Sequence, residues 1–151
     1  MDKNRQDIDI TKFLPHRPPM LLVTSMPYID DTSVTTNFQI TKDCIFVQDD
    51  CLTAPGLIEN AAQTCSAIVG QSYFHVDDLE GTSNSVIGYI SAVKKVIIHA
   101  LPKVGEILVS KATLVSRYDT EGLSICTISC SSFRNDDLIV DCTLNCLIQE
   151  V

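Results

Sequence analysis

From residue 86 to residue 149 the chain is almost unbroken β-forming sequence, and a single helical run stands before it. Four segments, 86–100, 106–118, 122–133 and 138–149, are long and β-rich, and turn signals separate them at LPKVGE, YDTEG and RNDD. Consecutive strands joined by short links predict an antiparallel four-strand meander. Upstream, residues 57 to about 73 place Leu57, Ala61, Cys65 and Ile68 on one side of a helix, with Ile58, Ala62 and Val69 adjoining. Ala61, Ala62, Ala67 and Gly70 keep that helix thin and suited to close packing. Residues 20–26 (MLLVTSM, after Pro18 and Pro19) and 33–40 (SVTTNFQI) read as strands, and 41–54 and 77–85 read as loops. The layout is α+β, one helix laid on a sheet. The 151 residues fit one domain, 1–151.

Charge and apolar patterning narrow the function classes. The formal net charge of −8 argues against a nucleic-acid or anionic-membrane surface, because both need clustered Lys and Arg. The N-terminal residues are polar and mixed in charge, unlike a secretory signal. No run approaches the roughly 18–20 apolar residues of a membrane span. A cytoplasmic location is the expectation.

Seven cysteines, an odd count in a reducing compartment, read as small buried hydrophobes rather than bridges. Four of them are informative. Cys126 and Cys130 stand four apart, as do Cys142 and Cys146, and both pairings share one centre at Asp136. In a hairpin all four would share a face with Ile128, Val140, Leu144 and Ile148. Strand residues four apart are separated by about 13 Å, so the four sulfurs cannot meet at one tetrahedral metal. No metal and no cofactor is expected, and no phosphate loop, dinucleotide fingerprint or Ser-His-Asp order stands out.

Glu59 is the residue that asks for an explanation, because it interrupts an otherwise small and apolar helix. It fits either a solvent-facing position or a polar stripe with Gln63, Ser66 and Gly70 that faces a partner or a ligand cleft. A carboxyl in such a cleft suits proton transfer near neutral pH. Pro55 fits the first helical turn, where free backbone N–H groups, as at Gly56 and Leu57, can initiate the helix or polarise a carbonyl. Of the three histidines, His75 reads as a surface residue and His99 as a local cap. His16 sits in FLPHRPPMLLV, a rigid extended segment, in either a structural or a ligand-facing role.

Taken together, LPHRPPMLLV and GLIENAAQ resemble the hot-dog-fold 3-hydroxyacyl-[acyl-carrier-protein] dehydratases. Leu14, Pro15, His16, Arg17, Pro19, Leu21, Leu22 and Val23 match that family's opening segment, with Thr24 standing where the family has Asp. Glu59, Ala62 and Gln63 match its E-x-x-A-Q helix, and Pro102, Gly105 and Glu106 match a later P-x-x-G-(D/E) turn. The resemblance implies a long central helix wrapped by a curved antiparallel sheet of five to six strands, assembled as a dimer. It makes Glu59 the catalytic carboxylate and Gln63 its neighbour. The family's second catalytic residue, a histidine in a G-H-F-P segment upstream of the helix, has no counterpart in DCIFVQDDCLTAPG. That departure resembles the dehydratase-like proteins of aryl polyene clusters, and implies a histidine-bearing dehydratase homologue as partner.

Three functions follow from the residues and the resemblance. The first is dehydration of 3-hydroxyacyl thioesters on acyl carrier protein, in fatty-acid or aryl-polyene-type biosynthesis, with Glu59 central. The second is a hot-dog thioesterase in which Glu59, Asp49 or Asp50 activates water on an acyl carrier protein or coenzyme A ester. The third is a non-catalytic subunit that binds an acyl chain or its carrier. In each, pairing of exposed sheet edges into a homodimer or heterodimer is expected. Tyr73, Phe74 and Tyr89 are candidates to line an acyl tunnel, and Arg17, Lys94 and Lys95 to meet a phosphopantetheine or an acidic carrier.

Overall fold

The structure, a computed structural model, describes residues 8–71 and 86–150. Tyr73, Phe74, His75 and the loop at 77–85 lie outside those residues. The elements in chain order are a short 3-10 helix (Ile10–Lys12), β1 (Ser25–Ile29), β2 (Ser33–Gln39), β3 (Val47–Gln48), β4 (Cys51–Leu52), α1 (Ala54–Gly70), β5 (Val86–Ile98), β6 (Ile107–Thr120), β7 (Leu123–Arg134) and β8 (Asp137–Glu150). Six strands form one antiparallel sheet in the order β1-β2-β6-β7-β8-β5. α1 packs on it, touching β2, β6, β7, β8 and β5.

α1 starts where Pro55 pre-sets the helical φ, with Thr53 extended before it. The Thr53 hydroxyl caps nothing and donates instead to the Phe46 carbonyl at 2.8 Å. Gly56 is required by space: a Cβ there would stand 2.6 Å from Leu52 Cδ1 and 2.8 Å from Phe46 Cβ. Leu57, Ala61, Cys65 and Ile68 are all buried, as the helical period requires.

The alternating strands β7 and β8 turn Cys126, Ile128, Cys130, Val140, Cys142, Leu144, Cys146 and Ile148 inward. Cys126 stands opposite Cys146 and Cys130 opposite Cys142, and all seven cysteines are free thiols. A second apolar cluster around Leu22, Phe38, Leu52, Leu57, Leu108 and Ile139 fills the end of the sheet near the helix start.

Three expectations from the sequence need correction. Residues 20–24 are not strand, and the edge strand begins only at Ser25. The backbone of Leu22 instead gives its N–H to Gln63 Oε1 at 2.8 Å and takes Asn60 Nδ2 on its carbonyl at 2.8 Å. Second, residues 41–54 hold the small β3–β4 hairpin, closed by Asp49 and Asp50 at φ 52° and 66°. Two positive-φ residues in a two-residue loop match the right-handed twist of the flanking strands.

Third, the last four strands are not one meander. β5 pairs with β8, and β6 pairs with β2 and β7. The eight residues 99–106 between β5 and β6 therefore cross three strand spacings, about 14 Å, well within their extended reach of roughly 26 Å. They are tied down on the way, with Leu52 N–H on the Pro102 carbonyl at 2.8 Å and Gly105 N–H on the Ile40 carbonyl at 2.9 Å.

Candidate functional site

The helix stripe carrying Glu59 opens onto a cavity of about 320 Å³. Glu59, Ala62, Gln63, Ser66 and Gly70 form its floor along α1. Phe13, Pro15 and His16 close one side from the N-terminal segment. Gly88, Tyr89 and Ile90 of β5, with Cys146 and Ile148 of β8, close the other. Glu59 is thus neither in bulk solvent nor in the core, with its side chain 24% exposed. The lining mixes polar His16, Glu59, Gln63 and Ser66 with apolar Phe13 and Ile148.

His16 faces Glu59, with Nε2 3.9 Å from Oε1. Its Nδ1 is shut away from solvent and has no hydrogen-bond partner among the described residues. Burial pushes the imidazole below its ordinary pKa, and the Arg17 cation adds to that while the Glu59 carboxylate opposes it.

Gln63 holds the arrangement together. Its Nε2 donates to Glu59 Oε1 at 2.9 Å and to the Met20 carbonyl at 2.7 Å, while its Oε1 accepts the Leu22 N–H. Arg17 is engaged within the same segment, donating to the carbonyls of Leu14 and His16 at 2.8 Å each. Behind the helix, Asn60 Oδ1 accepts from Ser110 Oγ at 2.7 Å, and Ser110 shares a hydrogen bond with Ser132 at 2.7 Å. All three residues are fully buried, so this polar chain satisfies its own members in the core.

The structure therefore brings together His16, Glu59, Gln63 and Tyr89. It keeps others apart. Asp49 and Asp50 sit exposed on the β3–β4 turn and do not line the cavity. Gly56 and Leu57 are buried one turn short of it, and the Leu57 N–H is already given to the Thr53 carbonyl at 3.0 Å. Lys94, Lys95 and His99 are exposed outside the cavity. Arg17 also lies outside the lining, and Tyr73 is outside the described residues. Glu106 is a turn residue: its carboxylate accepts the Lys103 N–H at 2.8 Å and faces Arg134 at 3.3 Å, and both hold it below its ordinary pKa.

Sequence reasoning missed the wall made by Gly88, Ile90, Cys146 and Ile148. The even spacing of Gly88 and Ile90, and of Cys146 and Ile148, was the available signal, but it needed the β5–β8 pairing to be used. Among the described residues no cluster of His, Cys, Asp or Glu could hold a metal ion, and no helix is long and apolar enough to cross a membrane.

Comparison with known proteins identifies the family and the fold. The ApeP-like family profile, described as ApeP dehydratase, matches residues 8–149. No curated protein matches the chain. The dehydratase heterocomplex ApeI:P of Xenorhabdus doucetiae is similar in structure, with a TM-score of 0.75, 17% identity, and 95% of this chain and 91% of that one covered. A sigma28-regulated virulence protein of Campylobacter jejuni gives a TM-score of 0.66 at 12% identity over 94% and 95% of the two chains. A hypothetical thioesterase of Streptococcus pneumoniae, solved with coenzyme A, gives 0.59 at 8% identity over 83% and 85%. One helix against a six-stranded antiparallel sheet is the hot-dog fold, and this chain belongs to the ApeP-like dehydratase family.

Proposed function

We propose that the cavity beside Glu59 binds a 3-hydroxyacyl thioester and removes water from it, giving the 2-enoyl thioester in fatty-acid or aryl-polyene-type chain building. The observation that carries this is the placement of Glu59. A half-buried carboxylate, held by Gln63, opens into a cavity whose lining offers polar groups for the reacting atoms and apolar ones for the chain. The acyl group would arrive on acyl carrier protein or coenzyme A.

A second hot-dog chain is expected along β5. Among the described residues that strand is a sheet edge with no strand paired on its outer side, and Ile87, Tyr89, Ile90, Val93 and Ile97 on it are exposed. The partner would be another copy or a histidine-bearing dehydratase homologue. The second of these has support in the similarity to a dehydratase heterocomplex. A thioesterase reading would rest on Glu59 alone, since Asp49 and Asp50 are remote from the cavity.

The test is turnover of 3-hydroxyacyl thioesters by the chain alone and mixed with a histidine-bearing homologue. Glu59→Gln should lower kcat by about 10²–10⁴-fold. Ligand binding without turnover, indifferent to Glu59→Ala, would instead make the chain a non-catalytic subunit. Acyl-CoA hydrolysis lost in Glu59→Gln would make it a thioesterase.

A further inference from the structure

We propose that His16 is the second acid–base residue of this site, supplied by the same chain as Glu59. This rests on the dehydration reading above and changes where its missing half comes from. The segment 43–56, which leads into the first turn of α1, contains no histidine. The structure brings one to Glu59 from the N-terminal segment instead, 43 positions earlier in the sequence.

The geometry suits a pair that acts on a third group. At 3.9 Å, His16 Nε2 and Glu59 Oε1 are too far apart to bond each other. An oxygen about 2.8 Å from both fits between them. The other ring nitrogen is shut away from solvent and meets no hydrogen-bond partner among the described residues, so only Nε2 is presented to Glu59. The segment bearing His16 is fastened on both sides of it, by Arg17 on the Leu14 and His16 carbonyls and by Gln63 on Met20 and Leu22. The titratable and charged groups around the ring are Glu59 from α1, Arg17 from its own segment, and Tyr89 and Cys146 across the cavity.

The step balances within the pair. The C2–H bond breaks and its proton passes to the unprotonated nitrogen of His16. The electron pair left on C2 forms the C2=C3 bond. The C3–O bond breaks, and its oxygen leaves as water with the same proton that His16 took from C2, handed on by way of the Glu59 carboxylate. Neutral imidazole and carboxylate are both restored.

The test uses the full chain with 3-hydroxyacyl pantetheine thioesters, alone and with the homologue, in wild type, His16→Gln and Glu59→Gln. Wild type alone should turn over, and each substitution should lower kcat by about 10²–10⁴-fold with little change in KM. NMR should show the His16 ring titrating below about 6.5 and lower still in Glu59→Gln, and the same spectra verify that each variant is folded. If Glu59→Gln abolishes turnover while His16→Gln leaves kcat and its pH profile intact, His16 is not the residue and the dehydration reading survives. Turnover that needs the homologue and ignores His16 also overturns the proposal. No turnover in any combination overturns both.

Discussion

Leu22 donates its backbone N–H to Gln63 Oε1 at 2.8 Å, across 41 positions of sequence. A helix side chain here does the work of a neighbouring strand, and it does so beside the cavity. Gln63→Leu keeps the volume but leaves the buried Leu22 N–H without its partner. An unmet buried group costs about 1–3 kcal/mol, so urea unfolding should show a loss of about 1–3 kcal/mol.

Asn60 and Ser110 should be energetically coupled. Each is fully buried, and Ser110 Oγ donates to Asn60 Oδ1. A double-mutant cycle with Asn60→Ala and Ser110→Ala should return an interaction term of about 0.5–3 kcal/mol. Simple additivity would show that the contact carries no energy of its own.

Gly56→Ala pits two effects against each other. Helix propensity gains about 1 kcal/mol from alanine. The new methyl, however, would meet Leu52 Cδ1 at 2.6 Å and Phe46 Cβ at 2.8 Å, both in the packed second cluster. Overpacking costs about 1–3 kcal/mol, so the expected result in thermal melts is a net loss of stability.

Thiol reactivity should split the cysteines sharply. Cys44 and Cys51 are partly exposed, and the other five are buried. Native protein titrated with a thiol reagent at pH 8 should show two fast groups of seven, and all seven after denaturation.

The buried thiols also set an alkaline limit. Burial pushes Cys146 up to about 11 from 9.0, and Cys142 higher, by its hydrogen bond with Cys130 and by burial. A raised folded pKa means that the folded state holds protons the unfolded chain has released. Stability from these groups is full below pH 9 and falls as pH rises through about 11. Tm measured across that window should drop, and Cys146→Ala should make the drop shallower.

Much of the fold was legible because local rules wrote it. The β7–β8 register followed from where four cysteines stand in a period-two pattern, and the pairs Cys126–Cys146 and Cys130–Cys142 are as that pattern requires. A one-residue irregularity at Ser132/Phe133 reconciles this register with the tight turn at Asn135 and Asp136. The stripe of Glu59, Gln63, Ser66 and Gly70 was equally readable from helical spacing. The place of β5 was not, since nothing in its own residues tells a strand to pair with β8 rather than β6. The approach of His16 to Glu59 escaped for the same reason: it depends on how an irregular segment is strung across a helix, and no period records that.

The polar chain behind α1 has a consequence for aim. Apolar contact has no direction, and a slim helix seated in thiols, alanines and branched carbons would lose little by swivelling about its own axis. Hydrogen bonds do have direction. Asn60 to Ser110 on β6, and one turn on Thr64 to Thr36 on β2 at 2.7 Å, act as two set screws on the buried face. They fix the helix's angular setting, so the bearing of the Glu59 carboxylate is decided by the residue beside it, one that never sees the cavity.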